Sequence, residues 1–380
     1  MCGLNEDGQC GAPIREEHNG RYLPVPVPFP FKVSISSVST GSRHTLALTD
    51  TGDVYSWGWG HLGQLGHGEN RSLTQPTKIA ALSKVTHISA GGVHSGCIDS
   101  DNFCYTWGSS TYGQLGLGIE VTEMRKCMVS LPSVVTLRPN GYNALKATRI
   151  SCGGLHTAAI DLNGNVFCWG KADSGQTGYA DWYQAFSAAV CSPRKVEGLG
   201  PRSRVEVSCG GFHTMVLMEN GSVYAMGKQD FGMLGTGTEL SVSIDIGAEA
   251  PTMISTGGWH TAIINDSGSL YTCGKGEYGR LGLGDEKSRM GLTPVAPAAY
   301  NARVTCVSAG GSHTVWATST GRVYTVGRVD GGRLGMGYQS PSNPQRRFQS
   351  LLSPSNNTKS LSSPTILQVA AGGSHTAILI

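Results

Sequence analysis

Hydrophobic and polar residues alternate with a period of two in two neighbouring segments, residues 44–49 (HTLALT) and 54–57 (VYSW). Such alternation is typical of half-buried β-strands, and residues 50–53 (DTGD) between them have the composition of a tight hairpin turn. Residues 35–39 (ISSVS) fit a further short strand. Residues 75–79 (QPTKI) suit an edge strand, because Pro76 has no N–H to give to a central ladder. The pattern therefore predicts a unit of four antiparallel strands.

The same unit recurs seven times along the chain, marked by a motif that reads G-G-x-H-T in most copies. An aromatic residue follows each of the first six histidines by eleven positions, and a G-x-x-G segment begins nineteen positions after each. Glycine stands eight positions after five of these six histidines, and Asn102 replaces it in the other. We expect a positive φ at Asn102, since asparagine tolerates it best after glycine. The motif histidines are His44, His94, His156, His213, His260, His313 and His375.

The distance between successive histidines varies from 47 to 62 residues, and the variation falls after the G-x-x-G segment, where loops absorb it. No helical period is sustained. Four-stranded units of about 50 residues, repeated seven times, predict an all-β fold, a seven-bladed β-propeller of four-stranded antiparallel blades in one domain, residues 1–380. The predicted repeats span residues 35–84, 85–147, 148–203, 204–252, 253–302 and 303–365, with residues 1–34 and 366–380 sharing the seventh blade.

The two ends of the chain complement each other within this seventh blade. Residues 8–11 (GQCG) match the G-x-x-G segments of the other repeats, whereas the chain ends five residues after His375. We expect the C-terminal residues to supply two inner strands, and the N-terminal residues to supply the loop and an outer strand near residues 22–31, which closes the ring and removes sheet edges. With Gly8 placed nineteen positions after His375, six residues between the ends have no counterpart. The third strand is therefore either stunted or completed by a longer chain.

Composition narrows the class of function. Charged residues make up 14% of the chain and the net charge is +3, with no basic run, so there is no nucleic-acid signature. The eleven cysteines include no C-x-x-C pair, which favours free thiols in a reducing compartment. With no signal peptide or transmembrane segment, we expect an intracellular protein of the nucleus or cytoplasm, with cilium or cytoskeleton as alternatives.

Seven histidines invite a metal or catalytic interpretation. Because they occupy equivalent positions in seven blades, we expect them to be spread around the ring, each packing at the start of a strand and bonding to neighbouring backbone. We read all seven as structural residues. The glycine-rich loops lack a following helix and a Walker lysine, which argues against a phosphate cradle. No nucleophile, base and acid come together, so we predict no catalytic residue, no metal and no cofactor.

The residue just before each histidine is the best candidate for a binding site. It precedes a strand, so we expect it in a loop at one face of the disc. Four consecutive blades place an apolar residue there, and such an arc is typical of a partner surface. The alternative is that these side chains fold down onto neighbouring loops. The four residues are Val93, Leu155, Phe212 and Trp259.

Two stretches between repeats are long. Residues 119–148 are mixed in charge, whereas residues 338–365 are rich in Ser, Pro and Asn, and carry basic residues without an acidic one. Phosphorylation at the three Ser-Pro steps of the second stretch would reverse its local charge and make it a regulatory docking loop. The alternative is an unmodified solvated loop. The residues concerned are Ser340, Ser353, Ser363, Arg346 and Arg347.

One repeat, HTLALTDTGDVYSWGWGHLGQLG from His44 to Gly66, resembles the regulator of chromosome condensation repeat family, and the resemblance extends over essentially the whole chain. It implies a propeller. The tryptophan of the W-G pair is kept in three repeats, then becomes Met226, Cys273 and Val326, so we expect smaller apolar core residues there. The plant UV-B receptor of this family carries its light-sensing tryptophans at a position where this chain has glycine or Ser42, which argues against photoreception.

Two functions follow from these observations. The first is a non-catalytic platform on which one propeller face and the long loops bind protein partners. The second, implied by the resemblance, is guanine nucleotide exchange on a Ran-like small GTPase, as for the namesake of the family. A middle blade shows no clear hairpin insert of the kind that such an exchange factor uses as a wedge. We therefore favour the platform and keep the exchange factor as the alternative.

Overall fold

A computed structural model describes residues 1–14, 20–118, 127–137, 143–179, 189–199, 206–235, 249–296, 302–337, 349–350 and 365–380. These residues form seven antiparallel sheets, six of four strands and one with three strands in its described part. The first strand of each complete repeat contacts the first strands of the two neighbouring sheets. The sheets are therefore the radial blades of a ring, and the predicted seven-bladed β-propeller is confirmed.

The strands follow the chain from blade to blade. Blade 1 contains β3 (Ile35–Thr40), β4 (His44–Thr49), β5 (Val54–Gly58) and β6 (Leu73–Lys78). Blade 2 contains β7 (Val85–Ala90), β8 (His94–Asp99), β9 (Cys104–Ser109) and β10 (Met128–Val134). Blade 3 contains β11 (Ala147–Cys152), β12 (His156–Asp161), β13 (Val166–Lys171) and β14 (Ala189–Lys195). Blade 4 contains β15 (Glu206–Cys209), β16 (His213–Leu217) and β17 (Val223–Gly227).

The remaining blades repeat this plan. Blade 5 contains β18 (Pro251–Thr256), β19 (His260–Asn265), β20 (Leu270–Gly274) and β21 (Arg289–Pro294). Blade 6 contains β22 (Val304–Ala309), β23 (His313–Thr318), β24 (Val323–Gly327) and β25 (Gln349–Ser350). Blade 7 combines β26 (Gln368–Ala371) and β27 (His375–Leu379) with β1 (Cys2–Leu4) and β2 (Gly20–Arg21). Short 3₁₀ turns follow the third strands of blades 4 to 6, at Asp230–Gly232, Glu277–Gly279 and Asp330–Gly332.

Blade 7 closes the ring, as the sequence predicts. Gly3 pairs with His375 and Cys2 with Thr376, the same register in which Gly58 of blade 1 pairs with His44. The third strand, β1, has three residues, against five in β5. Pairing between the first and the last segments of the chain thus joins the ends of the ring.

The outer strand of this blade is not where we expected it. It lies at Gly20–Arg21, which pair with Leu4 and Gly3, and the predicted position near residues 22–31 is wrong. The reason is chemical, because proline occupies every second position from residue 24 to residue 30 and cannot donate to a ladder. Instead, Phe29 of this segment packs edge-on against Tyr55 and Trp57, with ring centroids 5.5 and 5.9 Å apart.

The hydrophobic core lies between adjacent blades. One cluster joins Leu46 and Leu48 of blade 1 to Ile88 and Trp107 of blade 2. The Trp107 indole N–H also donates to the Gln64 carbonyl of the preceding blade at 2.9 Å. Where the tryptophan is replaced, the smaller residues are buried in the same way, as expected: Met226, Cys273 and Val326. Each blade therefore completes the core of the next.

Candidate protein-binding face

The seven motif histidines are fully buried and spread evenly around the ring, one in each blade. Each ring Nε2 lies 2.8 to 3.0 Å from a side-chain hydroxyl of the next blade, whereas we expected bonds to backbone. The residue after the motif histidine supplies that hydroxyl, so the seven bonds form a closed circuit. In chain order, the partners are Ser95, Thr157, Thr214, Thr261, Thr314, Thr376 and Thr45.

The hydroxyl partners fix the protonation state of the imidazoles. Each hydroxyl lies 2.6 to 3.1 Å from a backbone carbonyl, and it can only donate there. It must therefore accept from an Nε2–H. Burial disfavours a second proton, and it lowers the pKa of His44 and His156 to about 4 and the pKa of His94, His213 and His375 to about 3. The histidines are thus neutral, and they link neighbouring blades by hydrogen bonds.

The glycines before each histidine form a second circuit. The backbone N–H of the second motif glycine donates to the carbonyl of the first motif glycine in the next blade, as from Gly92 to Gly153 at 2.9 Å. A Cβ on Gly92 would lie 2.4 Å from the Gly154 carbonyl oxygen. Six blades have glycine at this second position, and Ser42 takes it in blade 1, where its N–H donates to the Gly91 carbonyl at 3.1 Å. This bond consequently holds the variable residue that follows at the inner rim of the ring of blades.

A backbone bond joins each variable residue to the loop after the third strand. Lys228 N–H donates to the Phe212 carbonyl at 3.0 Å, and Lys275 N–H donates to the Trp259 carbonyl at 2.9 Å. The residues before the histidines and the loops that carry G-x-x-G therefore lie on one side of the disc. We call this side the loop face.

The predicted arc occupies the loop face, and its four members are half-buried. Phe212 and Trp259 are in ring contact, with centroids 4.6 Å apart at 42°. Trp259 also packs against the core cluster of blades 4 and 5, so the alternative of side chains folding down applies in part. Val93 and Leu155 hold the equivalent places in blades 2 and 3, where their carbonyls accept from Ser109 and Lys171.

Three residues that we did not predict extend the contact between Phe212 and Trp259. Phe231 is 41% exposed and packs edge-on against Trp259, with centroids 6.1 Å apart. Lys228 Nζ lies 5.6 and 5.3 Å from the ring centroids of Phe212 and Trp259. Lys275 Nζ lies 5.1 and 5.8 Å from those of Phe231 and Trp259. We call these five residues, Phe212, Lys228, Phe231, Trp259 and Lys275, the aromatic–cation patch.

A regular signal for these residues exists in the sequence. The lysines stand fifteen positions after a motif histidine, and Phe231 stands eighteen positions after His213. Carboxylates two residues beyond the lysines hold them in place, with N···O distances of 2.9 Å for Lys228–Asp230 and 2.7 Å for Lys275–Glu277. Such exposed pairs add little stability but orient the ammonium groups.

The five residues of the predicted regulatory loop, Ser340, Ser353, Ser363, Arg346 and Arg347, lie outside the described residues. In the described part of the chain, no three His, Cys, Asp or Glu side chains gather as a metal ion would require. No helix among the same residues has the length and apolar character needed to cross a bilayer.

The closed ring of seven blades defines a β-propeller, and its loop face carries half-exposed aromatic residues. Residues 125–380 match the family model of the RCC1-like domain, and residues 1–48 and 51–98 match that of the Regulator of chromosome condensation (RCC1) repeat. The chain belongs to this family.

Relatives with known names cover only part of the chain. It is 29% identical over 236 residues to the Ultraviolet-B receptor UVR8 of Arabidopsis thaliana, which is 62% of this chain and 50% of that protein. It is 39% identical over 202 residues to the Probable E3 ubiquitin-protein ligase HERC4 of Rattus norvegicus, which is 53% of this chain and 18% of that protein. The chain thus spans half or less of the length of these relatives.

Solved structures share the fold over nearly the whole chain. The structure of Prp20p from Saccharomyces cerevisiae superposes with a TM-score of 0.81 at 20% identity, covering 99% of this chain and 90% of that one. That study describes binding of Prp20p to Gsp1p and histones. At this identity, the likeness concerns the architecture.

Proposed function

We propose that this protein is a non-catalytic platform that binds a protein partner through its loop face, with the aromatic–cation patch as the anchor. The observation that carries the proposal is the contact of Phe212 and Phe231 with Trp259, with Lys228 and Lys275 beside the rings. Large aromatic side chains with a half-exposed surface dominate the binding energy of protein interfaces. Lysines over aromatic rings add an electrostatic attraction and keep the rings in fixed positions.

The preorganisation of the patch supports this function. Phe212 and Trp259 stand in loops that the glycine circuit holds, and Phe231 sits in a 3₁₀ turn. A surface whose side chains are already ordered loses less conformational entropy when a partner binds. The binding of Prp20p to Gsp1p and histones, which the description of its structure names, also supports a protein-binding function.

The cysteines support a location inside the cell. All eleven are free, and eight of them are buried. Disulfides are rare in reducing compartments, so we propose the nucleus or the cytoplasm as the site of action.

The platform is tested by quantitative affinity capture from a cell extract with the purified chain as bait. The Phe212→Asp, Trp259→Asp double variant should lose its specific partners at least about tenfold, as expected for hot-spot residues. Leu162→Asp is the matched control, because Leu162 is 55% exposed in the turn between β12 and β13, on the other face. Recovery that is equal for the double variant and the control would overturn the role of the patch.

The alternative, nucleotide exchange on a Ran-like GTPase, has the likeness to Prp20p in its favour. Every named strand of the described residues belongs to one of the seven blades. Outside these strands, Thr136 and Ala144 form an antiparallel bridge between blades 2 and 3, which is where a wedge would be sought. Release of fluorescent GDP from Ran-type and other small GTPases, with and without the protein, decides the question. Accelerated release by catalytic amounts would establish exchange activity, whereas unchanged rates with every GTPase would eliminate it.

A further inference from the structure

Buried arginines distinguish the loop face of blades 5 and 6 from that of the other blades. Twenty positions after the motif histidine, four blades have glutamine, blade 4 has Met233, and blades 5 and 6 have Arg280 and Arg333. These arginines are only 2% and 6% exposed. The four glutamines are Gln9, Gln64, Gln114 and Gln176.

The glutamines show what this position does structurally. The side-chain oxygen of Gln64 accepts from Leu62 N–H at 3.0 Å, and that of Gln114 accepts from Tyr112 N–H at 2.8 Å. A neutral side chain is therefore sufficient to brace the turn. Arg280 instead donates from Nε to the Glu277 carbonyl at 2.9 Å, and Arg333 donates from Nε to the Asp330 carbonyl at 3.0 Å. Arginine thus stabilises the turn by a bond from its guanidinium to a backbone carbonyl, and it adds a positive charge.

The added arginines change the number of cations that share one carboxylate. In blade 3, Lys171 and Asp173 form a pair of one cation and one anion at 3.0 Å. In blade 5, Glu277 is shared between Lys275 at 2.7 Å and Arg280 at 3.6 Å.

Blade 6 has the same surplus of two cations for one carboxylate. There, Asp330 is shared between Arg328 at 2.6 Å and Arg333 at 3.4 Å. In the described part of the chain, the ion pairs of these four cations thus involve only two carboxylates. Burial, and then the charge of Arg328, lowers the pKa of both buried guanidinium groups.

The two half-exposed cations, Lys275 and Arg328, are accessible from solvent, and each stands beside an aromatic ring. Tyr278 is 38% exposed and lies between Arg280 and Arg328, whose guanidinium carbons are 5.6 and 5.2 Å from its ring centroid. An incoming carboxylate could pair with Lys275 or Arg328. The buried arginine of the same blade would remain paired with Glu277 or Asp330 and continue to neutralise it. Blade 3 lacks this second cation, because Gln176 stands there.

We propose that the loop face of blades 5 and 6 binds an acidic segment of a partner protein, rich in Asp or Glu, over Lys275, Tyr278 and Arg328. This proposal rests on the platform function and specifies the chemistry of the partner. The surplus is local, since the chain has a net charge of only +3. A short acidic segment fits such a site better than an extended nucleic acid, whose binding requires a continuous basic track.

The test is titration of a rhodamine-labelled oligoglutamate peptide into the full chain at low salt, followed by fluorescence anisotropy. The Arg280→Gln, Arg333→Gln variant restores the residue of four other blades, so we expect the fold to be kept and the affinity to be about tenfold weaker, or 1.4 kcal/mol. The thermal midpoint should fall, because Arg280 loses its bond to the Gly311 carbonyl and Arg333 its bonds to Ser312 and the Gly373 carbonyl, and circular dichroism below that midpoint checks that the variant is folded. The matched control, Arg43→Gln with Lys171→Gln, removes the same charge elsewhere on the loop face and should weaken binding about twofold or less. Lys275→Gln with Arg328→Gln should also weaken binding.

Three results would overturn the proposal: no binding of oligoglutamate at low salt, equal affinity of the Arg280→Gln, Arg333→Gln variant and the control, or an affinity for oligothymidylate that matches or exceeds that for oligoglutamate. The last would indicate a nucleic-acid site. Because the peptide titration does not depend on captured partners, its failure beside a successful capture experiment would leave the platform standing and remove only the acidic character of the partner.

Discussion

His375 Nε2 donates to Thr45 Oγ1 at 3.0 Å, and this bond joins the last blade of the ring to the first. Thr45 in turn donates to the Gln9 carbonyl at 3.1 Å, so one hydroxyl connects three separate segments of the chain. The bond repeats the contact between all other neighbouring blades, and here it also ties the C-terminal strand β27 to blade 1, because the ends of the chain meet inside blade 7, between β27 and β1.

Thr45→Val should therefore destabilise the closed ring. Valine keeps the shape of threonine but leaves the buried Nε2–H of His375 without a partner, which costs about 1–3 kcal/mol. The Gln9 carbonyl keeps its bond from the Trp57 indole N–H at 3.0 Å. Urea unfolding followed by tryptophan fluorescence measures the change in the free energy of unfolding. Thr77→Val, at an exposed position of β6, is the control and should change the free energy by less than about 0.5 kcal/mol. Equal effects of the two substitutions would contradict the role of the closing bond.

The buried histidines predict loss of stability on mild acidification. Their pKa values in the folded state, about 3 to 4 at His44, His94, His156, His213 and His375, lie below the 6.5 of an unfolded chain. Below pH 6.5 the unfolded chain binds protons and the folded chain does not, so the free energy of unfolding falls as pH falls.

Each such histidine removes about 1.4 kcal/mol of stability per pH unit in this range. With a total stability of about 5–15 kcal/mol, acid unfolding should begin within one to two pH units below 6.5. Thermal midpoints between pH 8 and pH 5 at constant ionic strength measure this slope. A midpoint that is flat from pH 7.5 to pH 5.5 would show that protonated imidazoles are tolerated inside the ring.

Glu206 in the central channel has the opposite pH dependence. It lines the channel with Met253 and Cys306, and burial raises the pKa of its carboxyl to about 7, against the charge of Arg149 and a bond from the backbone of Ile254. Between pH 4.5 and pH 7 the folded chain holds a proton that the unfolded chain has lost. The free energy of unfolding therefore falls as pH rises through that window.

Glu206→Gln should remove the dependence. Gln368 occupies the equivalent position of blade 7, where its side-chain oxygen accepts from Val38 N–H at 2.9 Å, so glutamine suits this place. We expect a gain of about 1–3 kcal/mol in the free energy of unfolding at pH 8 and almost none at pH 5. Glu219→Gln, at an exposed position, is the control and should show no such difference between the two pH values. A gain of equal size at both pH values would contradict the titration of Glu206.

The fold could be predicted from the sequence because the offsets from the motif histidines reflect strand register. The structure agrees with the offset that placed Gly8 nineteen positions after His375, because Gly3 pairs with His375 as Gly58 pairs with His44. The positive φ expected at Asn102 is confirmed at 65°. The outer strand of blade 7 was misplaced because strand periodicity took no account of the prolines after residue 23.

The patch was predicted only in part. Phe212 and Trp259 share a motif position, which the sequence exposes directly. Phe231 belongs to blade 4 and contacts Trp259 of blade 5, and residue spacing within a repeat carries no information about contacts between blades. The buried charge of Arg280 and Arg333 was visible as a departure from glutamine, but its surplus depends on distances to Glu277 and Asp330 that only the structure supplies.

Phe231 has a positive φ of 62°, a conformation that costs a residue with a Cβ about 1–2 kcal/mol. Gly331 occupies the equivalent turn of blade 6 with a φ of 68°, so the fold accepts glycine there. Strained residues that persist in a fold often serve binding. We predict that Phe231→Gly is more stable than Phe231→Ala by about 1 kcal/mol, because alanine keeps the strain and glycine relieves it. Both variants lose the ring contact with Trp259, so both should weaken partner capture to the same extent. Urea unfolding and affinity capture of the two variants measure these effects, and equal stability of Phe231→Gly and Phe231→Ala would show that no strain is held at this turn.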